Sequence, residues 1–260
     1  MKRSVKSLIS YGIQETDGDI GEIVDLYFDD QSWTVRYIVV ETGNWFSGKK
    51  VLISPQSFQQ PDWENKKILV NLTKDQIRNS PDIDTDKPVS RQQEEQLNGY
   101  YPWVEYWGTS SAHGAGIFGS MPSDLYYENV EPQQPPVTES TQFTNQNNDS
   151  HLQSTESING YTIHALDGEI GKVTDYIIDD ASWQLKYFVV ETGSWLDSKK
   201  VLLSTKWIKE VNWENSIVIV NITTEAVKNS PEFDESEPIN ETSEHQLFDY
   251  YGRPYEEENL

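Results

Sequence analysis

Apolar residues fall in short segments dense in Val, Ile, Tyr, Phe and Trp, broken by Gly, Asp and Asn, a pattern that predicts strands and turns rather than long helices. Strand character runs over residues 8–13 and resumes over 20–28 after the turn signal Asp17-Gly18. Asp29-Asp30 then interrupts the apolar run and predicts a second hairpin, with its return strand over 33–40. Glu41-Thr42-Gly43 opens a loop carrying Trp45, followed by short strands at 51–53 and 67–72. At Thr73 the period changes, and Thr73 with Gln76 predicts a short helix with a capping box, stopped before Pro81.

The whole pattern then recurs. Residues 17–54 return at 167–204 at a constant offset of 150 and without a gap, and the register continues through Trp63 and Trp213, Pro81 and Pro231, and Tyr100-Tyr101 and Tyr250-Tyr251. A period this long marks a duplicated globular domain, since solenoid and propeller repeats are about 20–50 residues. Residues 107–157 separate the copies; they are rich in Gly, Ser, Pro, Gln and Asn and lose apolar periodicity, which predicts a flexible linker. The predicted organisation is therefore a first copy with a short extension over 1–106, a linker over 107–157, and a second copy with an acidic extension over 158–260. That second extension is expected to stay solvated beyond Pro231 except near Leu247, Tyr250 and Tyr251.

Charge narrows the partners. Acidic side chains outnumber basic ones 43 to 20, for a net charge of -23, and such a surface repels phosphate backbones and anionic lipid, so nucleic acid is excluded as an expected partner. The absence of Cys removes disulfides, thiolate zinc sites and thiol nucleophiles. No run of about 18 apolar residues occurs, and no signal-peptide pattern opens the chain, so the expectation is a soluble, cytoplasmic protein without membrane insertion.

Candidate chemistry is sparse. His113-Gly114-Ala115-Gly116-Ile117-Phe118-Gly119 contains a literal G-x-G-x-x-G, but no strand precedes it and linker surrounds it, which favours a loop over a dinucleotide cradle. The pairs Asp29-Asp30 and Asp179-Asp180 offer too few oxygens for a hard cation and lack EF-hand spacing, so they read as turn caps. The four histidines show no metalloprotease spacing, and His164 stands where the first copy has Gln14, so the copies share no histidine chemistry there. No catalytic residue, metal site or cofactor is expected. Among the repeated tryptophans, Trp33 and Trp183 are assigned to the interior or its rim. Trp45 and Trp195 follow a loop glycine beside polar residues, where a large ring reads as an anchor for a protein partner or for the other copy, against local packing.

The DGEIGKV segment, the DD-x-S-W hairpin, Y-x-VVETG-x-W, the following K-V-L and the terminal NSP together resemble PRC-barrel domains, in both halves. The extensions ending in Tyr100-Tyr101-Pro102-Trp103 and Tyr250-Tyr251-Gly252-Arg253-Pro254 look like the tail of bacterial tandem proteins of that kind. The resemblance implies a mainly β chain of two small antiparallel barrels, each closed by a short helix. It implies no enzyme: in the photosynthetic reaction-centre H subunit the barrel caps a membrane core, and in a ribosome-maturation factor it helps hold a ribosomal protein. The function expected is a non-catalytic adaptor or scaffold whose two modules bind an unknown protein partner, through avidity if they swing on the linker, or packed as an intramolecular or homomeric dimer. The alternatives are an accessory of a photosynthetic electron- or proton-transfer complex and, behind it, an enzyme.

Overall fold

The structure is a computed structural model that describes residues 1–15, 18–59, 61–81, 89, 91–104, 152–193 and 198–255. In the first module β1 (Lys2–Ser4) and α1 (Val5–Leu8) precede β2 (Gly12–Glu15), β3 (Gly18–Asp29), β4 (Thr34–Thr42), β5 (Lys50–Ile53) and β6 (Lys67–Leu69), then α2 (Lys74–Arg78) and α3 (Arg91–Tyr100). The second module follows as β7 (Leu152–Ser154), α4 (Thr155–Ile158), β8 (Thr162–His164), β9 (Glu169–Asp179), β10 (Leu185–Thr192), β11 (Lys200–Ser204), β12 (Ile208–Asn212), β13 (Ile217–Val220), α5 (Thr224–Lys228) and α6 (Glu241–Tyr250).

Each module is built on one sheet. The first runs β5-β4-β3-β2-β6 and the second β11-β10-β9-β8-β13-β12, antiparallel throughout except that β2 lies parallel to β6 and β8 to β13. These pairings leave each sheet an open path; ring closure, which the resemblance implies, is not among the pairings of the described residues. The strands are irregular. Register shifts at Ile23/Asp25 and Tyr27/Phe28 break β3, as others break β9 against β10, and bulges of this kind turn a strand sharply. The repeated glycine of the D-G-x-I-G segment has a separate cause: a Cβ at Gly21 or Gly171 would lie 2.0 Å from the carbonyl oxygen of Glu41 or Glu191, so only glycine lets the two strands approach.

The principal feature of the fold is an exchange. β2 is four residues long and pairs with only the first part of the twelve-residue β3, while β4 takes the other edge over almost its whole length. The edge left over at Tyr27–Asp29 is covered by β7 of the second module, with Tyr27 opposite Ser154, Phe28 opposite Gln153 and Asp29 opposite Leu152. Reciprocally, β1 of the first module pairs antiparallel with β9, placing Lys2 opposite Asp179 and Ser4 opposite Ile177. An unpaired edge invites association, and here each module's leading strand closes the edge of the other.

The seam continues through the two Trp turns. Val35 N donates to the Trp183 carbonyl at 2.8 Å and Leu185 N to the Trp33 carbonyl at 2.7 Å, and Thr34 bridges Gln184, its own equivalent in the repeat. A residue facing its own counterpart marks a two-fold relation, so the modules pack as the two halves of a homodimer would. Burial on both faces explains the unbroken buried runs Leu26–Asp29 and Tyr37–Val40, which strict alternation would forbid.

Several sequence expectations change. Residues 8–13, read as strand, begin instead with the last turn of α1, because Ser4 caps that turn. The linker was placed out to residue 157, yet residues 152–157 form β7 and most of α4, short elements whose partner is the other module and which leave no local periodicity. Trp33 and Trp183, read as first strand residues, occupy the left-handed turn position at φ 56° and 57°. The short helix after Thr73 is present with its Thr73/Gln76 capping box, and Thr223 alone caps α5, as Ala226 requires. Within the second extension, the stretch near Leu247 that was excepted from solvation lies in a helix that was not expected, α6, capped by Asn240 and Ser243, which buries Leu247 and Phe248. No helix among the described residues is long and apolar enough to cross a membrane.

Candidate functional site

Asp25 and Asp175 latch the seam. Both carboxylates are almost fully buried in the middle of an apolar strand, a costly place for a charge unless it is hydrogen-bonded. Asp25 accepts from the Thr155 hydroxyl at 2.8 Å, from Glu156 N at 3.2 Å, from the Ser154 hydroxyl and from its neighbour Leu26 N. Asp175 repeats the arrangement toward the first module, accepting from the Ser4 hydroxyl, from Lys6 N at 3.1 Å and from Tyr176 N at 2.7 Å. Charge-assisted bonds of this kind are stronger than neutral ones, and here they fasten the exchanged segment of each module to the other. Sequence reasoning passed over this pair. The available signal was an acid at the same place inside two apolar runs, IVDLYF and VTDYII.

Of the aspartate pairs of the second hairpin, Asp29 and Asp179 are turn caps. Asp29 Oδ1 accepts from Ser32 N and the Ser32 hydroxyl, both at 2.7 Å, and Asp179 Oδ1 accepts from Ala181 N and Ser182 N. In the second module the pair also holds β1: Lys2 Nζ lies 3.1 Å from Asp179 and Arg3 Nε 2.6 Å from Asp180. Arg3 lies at the same time 3.8 Å over the Trp63 ring of its own module. Burial raises the Asp179 pKa, but the Ser182 amide and Lys2 outweigh it and hold the carboxyl at about 2. For Lys2, burial favours the neutral amine, and the bond to Asp179 with the charge of Glu244 overcomes it, so its pKa rises. Among the described residues no group of three or more His, Asp or Glu side chains converges as a metal site would require.

Trp45 is half-buried against its own module. Its indole N–H donates to the Ile20 carbonyl at 2.6 Å, Phe46 stacks on it at 5.5 Å, and Lys74 and Arg78 lie 5.6 and 5.7 Å from its ring centre. Trp195 and the glycine run at 114–119 lie outside the described residues. Trp33 stacks on Phe28 and meets Phe188 of the second module edge-on, both at 5.3 Å, while Trp183 meets Phe58 of the first at 5.0 Å. These two rings therefore belong to the seam.

The extensions pack on their own modules. In the first module Trp103 stacks on Tyr101 at 4.1 Å and donates to the Ser57 hydroxyl at 2.6 Å; in the second, Trp207, which stands where the first has Ser57, packs on Tyr251 at 4.6 Å. Tyr100 and Tyr250 donate their hydroxyls to the carbonyls of Gln76 and Ala226, tying α3 to α2 and α6 to α5. Glu244 of α6 is buried and accepts from the Tyr187 hydroxyl at 2.7 Å, with Lys2 Nζ 3.4 Å away, so the leading strand of the first module also reaches the extension of the second.

Comparison with known proteins agrees with this duplication. An uncharacterized protein of Deinococcus radiodurans is 32% identical over 82 residues, which are 31% of this chain and 28% of that protein, so the chain spans under a third of that relative. The model of the PRC-barrel domain matches residues 3–77 and again 156–227, more than half of the chain and both halves of the repeat. The first match begins within β1 and the second within α4, so both include exchanged residues, and the chain belongs to the PRC-barrel family, carrying the domain twice.

Proposed function

We propose that the chain is a non-catalytic, cytoplasmic protein-binding adaptor or scaffold in which the two PRC modules act as one body. The observation that carries this reading is the reciprocal exchange of β1 and β7, fastened by Asp175 and Asp25. Two modules swinging on a tether would gain from avidity; two modules fused across a two-fold seam instead present their outer sides at fixed spacing, which lowers the entropy cost of engaging a partner at both. The acidic surface adds electrostatic selection for basic partners.

Affinity capture from native lysate with the whole chain tests this, set against an unrelated acidic protein of matched charge. The expected result is a partner retained by the chain, rejected by the control, and lost from an Asp25→Ala/Asp175→Ala double variant, which loosens the seam without altering the outer sides. Retention of nothing beyond what the control retains would overturn the adaptor reading.

A further inference from the structure

We propose that a cavity between β11 and the extension of the second module is a docking site for a basic peptide segment, one that inserts Lys or Arg beside an aliphatic side chain. The cavity has a volume of about 220 Å³ and lies between Leu202 and Tyr187 of the sheet and Phe233, Ile239 and Leu247 of the extension. Sites that enclose a whole drug-sized ligand are typically about 300–1,000 Å³. This one has room for a side chain or two of a longer partner.

Its rim specifies charge. Of its acidic lining residues, Glu232, Asp234 and Glu237 are exposed and Glu244 is buried. Local cations are already committed: Lys200 lies 2.7 Å from Glu235, and Lys2 serves Asp179 and Glu244. Asp234 Oδ1 is taken by the amide and hydroxyl of Ser236. Glu232 and Glu237 are exposed and have no cationic partner among the described residues. An apolar floor under an uncompensated acidic rim complements a side chain with an apolar stem and a cationic head, which Lys and Arg are. Phe233 N donates to the Lys200 carbonyl at 2.8 Å, which ties this wall of the cavity to β11. At the aligned positions the first copy carries Lys87 in place of Glu237 and Ile83 in place of Phe233, so the full acidic rim belongs to the second copy's sequence alone.

The inference rests on the adaptor reading and names one of its contact sites. Its test is fluorescence anisotropy on the full chain with a labelled hexapeptide Gly-Leu-Arg-Leu-Arg-Gly, compared with the same peptide carrying Gly for both Leu and with arginine amide as competitor. The expected result is saturable binding of the Leu-containing peptide, weakened about tenfold by Glu232→Lys/Glu237→Lys, consistent with reversal of two exposed charges. Ile239→Ser is expected to weaken it severalfold while the melting temperature of the chain stays within a few degrees of the parent. Equal binding of the Leu-free peptide would reduce the effect to attraction by the whole acidic surface and overturn the site. Undiminished binding by the double charge variant would do the same, and full displacement by arginine amide at the peptide's own concentration would mean a small-cation site in place of peptide docking. Should the charge variant still capture the partner that the whole chain retains from lysate, this site falls while the adaptor reading stands.

Discussion

The two modules share their seam and, apart from β12, whose counterpart in the first module is only the isolated bridges at Phe58 and Asp62, their strand order, but not the materials that complete them. Under the first extension the large ring comes from the extension itself, Trp103 packing down on Tyr101, and the sheet side supplies Ser57; under the second, the sheet side supplies Trp207 and the extension supplies Arg253, whose guanidinium reaches the Asn221 carbonyl. Each module thus buries one tryptophan at this place, delivered from opposite sides. At the seam the asymmetry runs the other way. β1 brings Lys2 and Arg3 to Asp179 and Asp180, while β7 brings Leu152 and Gln153 to the equivalent edge. At this place a buried ring is kept although its source differs, and at the seam charge differs where a carboxylate already has backbone donors.

The largest test of what the modules hold in common is the close glycine. Gly171→Ala and Gly21→Ala each force a Cβ against backbone and are expected to cost about 4 kcal/mol or more, since neither strand can yield without breaking its pairing. Circular dichroism melts should then show each variant losing its folded transition at temperatures where the parent is intact; a shift of a degree or two would mean that the approach relaxes cheaply.

The tryptophan exchange can be broken next. Trp207→Ala and Trp103→Ala each leave a void beneath an extension and are expected to cost about 3 kcal/mol, with faster amide exchange in α6 for the first and α3 for the second. Similar exchange changes in both extensions from either variant would refute the assignment of one ring to each module.

Smaller effects sharpen the charge asymmetry. Because the folded Asp179 pKa of about 2 lies below its unfolded value, the stability it contributes is complete above the unfolded carboxyl pKa and is lost as pH falls from about 4 through 2. Lys2 has the opposite sign: its pKa is raised, so its contribution is present below the unfolded lysine value and lost as pH rises through the folded one. Lys2→Leu, which gives β1 the residue β7 has, is therefore expected to flatten the fall in denaturation midpoint between pH 4 and 2. The change at neutral pH should be about 1 kcal/mol at most, because the pair is partly wet and salt screens it.

The smallest effect is a gain. Tyr176 stands where the first module has Leu26, and its deeply buried hydroxyl has no hydrogen-bond partner among the described residues, while burial and the neighbouring carboxylate of Asp175 push its pKa well above the usual range. Tyr176→Phe removes a desolvated polar group without removing the ring that meets Phe188, so the melting temperature is expected to rise, by an amount corresponding to about 1 kcal/mol or less. A fall would reveal a hydrogen bond made by that hydroxyl.

Local chemistry was legible. The Asp29 and Asp179 turns and the Thr73 and Thr223 caps depend on contacts within a few residues, and those contacts are written in order along the chain. Trp33 and Trp183, expected in the interior or at its rim, are partly buried against the core, but their partners Phe188 and Phe58 belong to the opposite module, which no local window contains. α6 was missed because its apolar residues, Leu247 and Phe248 with Tyr251 just beyond its end, occupy a single turn and leave the rest of a ten-residue helix polar.

The repeat at an offset of 150 determined by itself that the chain is one module used twice, its apolar pattern that the modules are mainly β, and its composition that the net charge is -23. Only the tertiary structure decided that each module's leading strand serves the other. β1 and β7 are three residues long and carry no pattern of their own, because their hydrogen bonds, and the buried carboxylates that latch them, come from residues more than a hundred positions away. A strand that exists only as another sheet's edge has no local periodicity to read, since the burial that stabilises it is contributed by its partner.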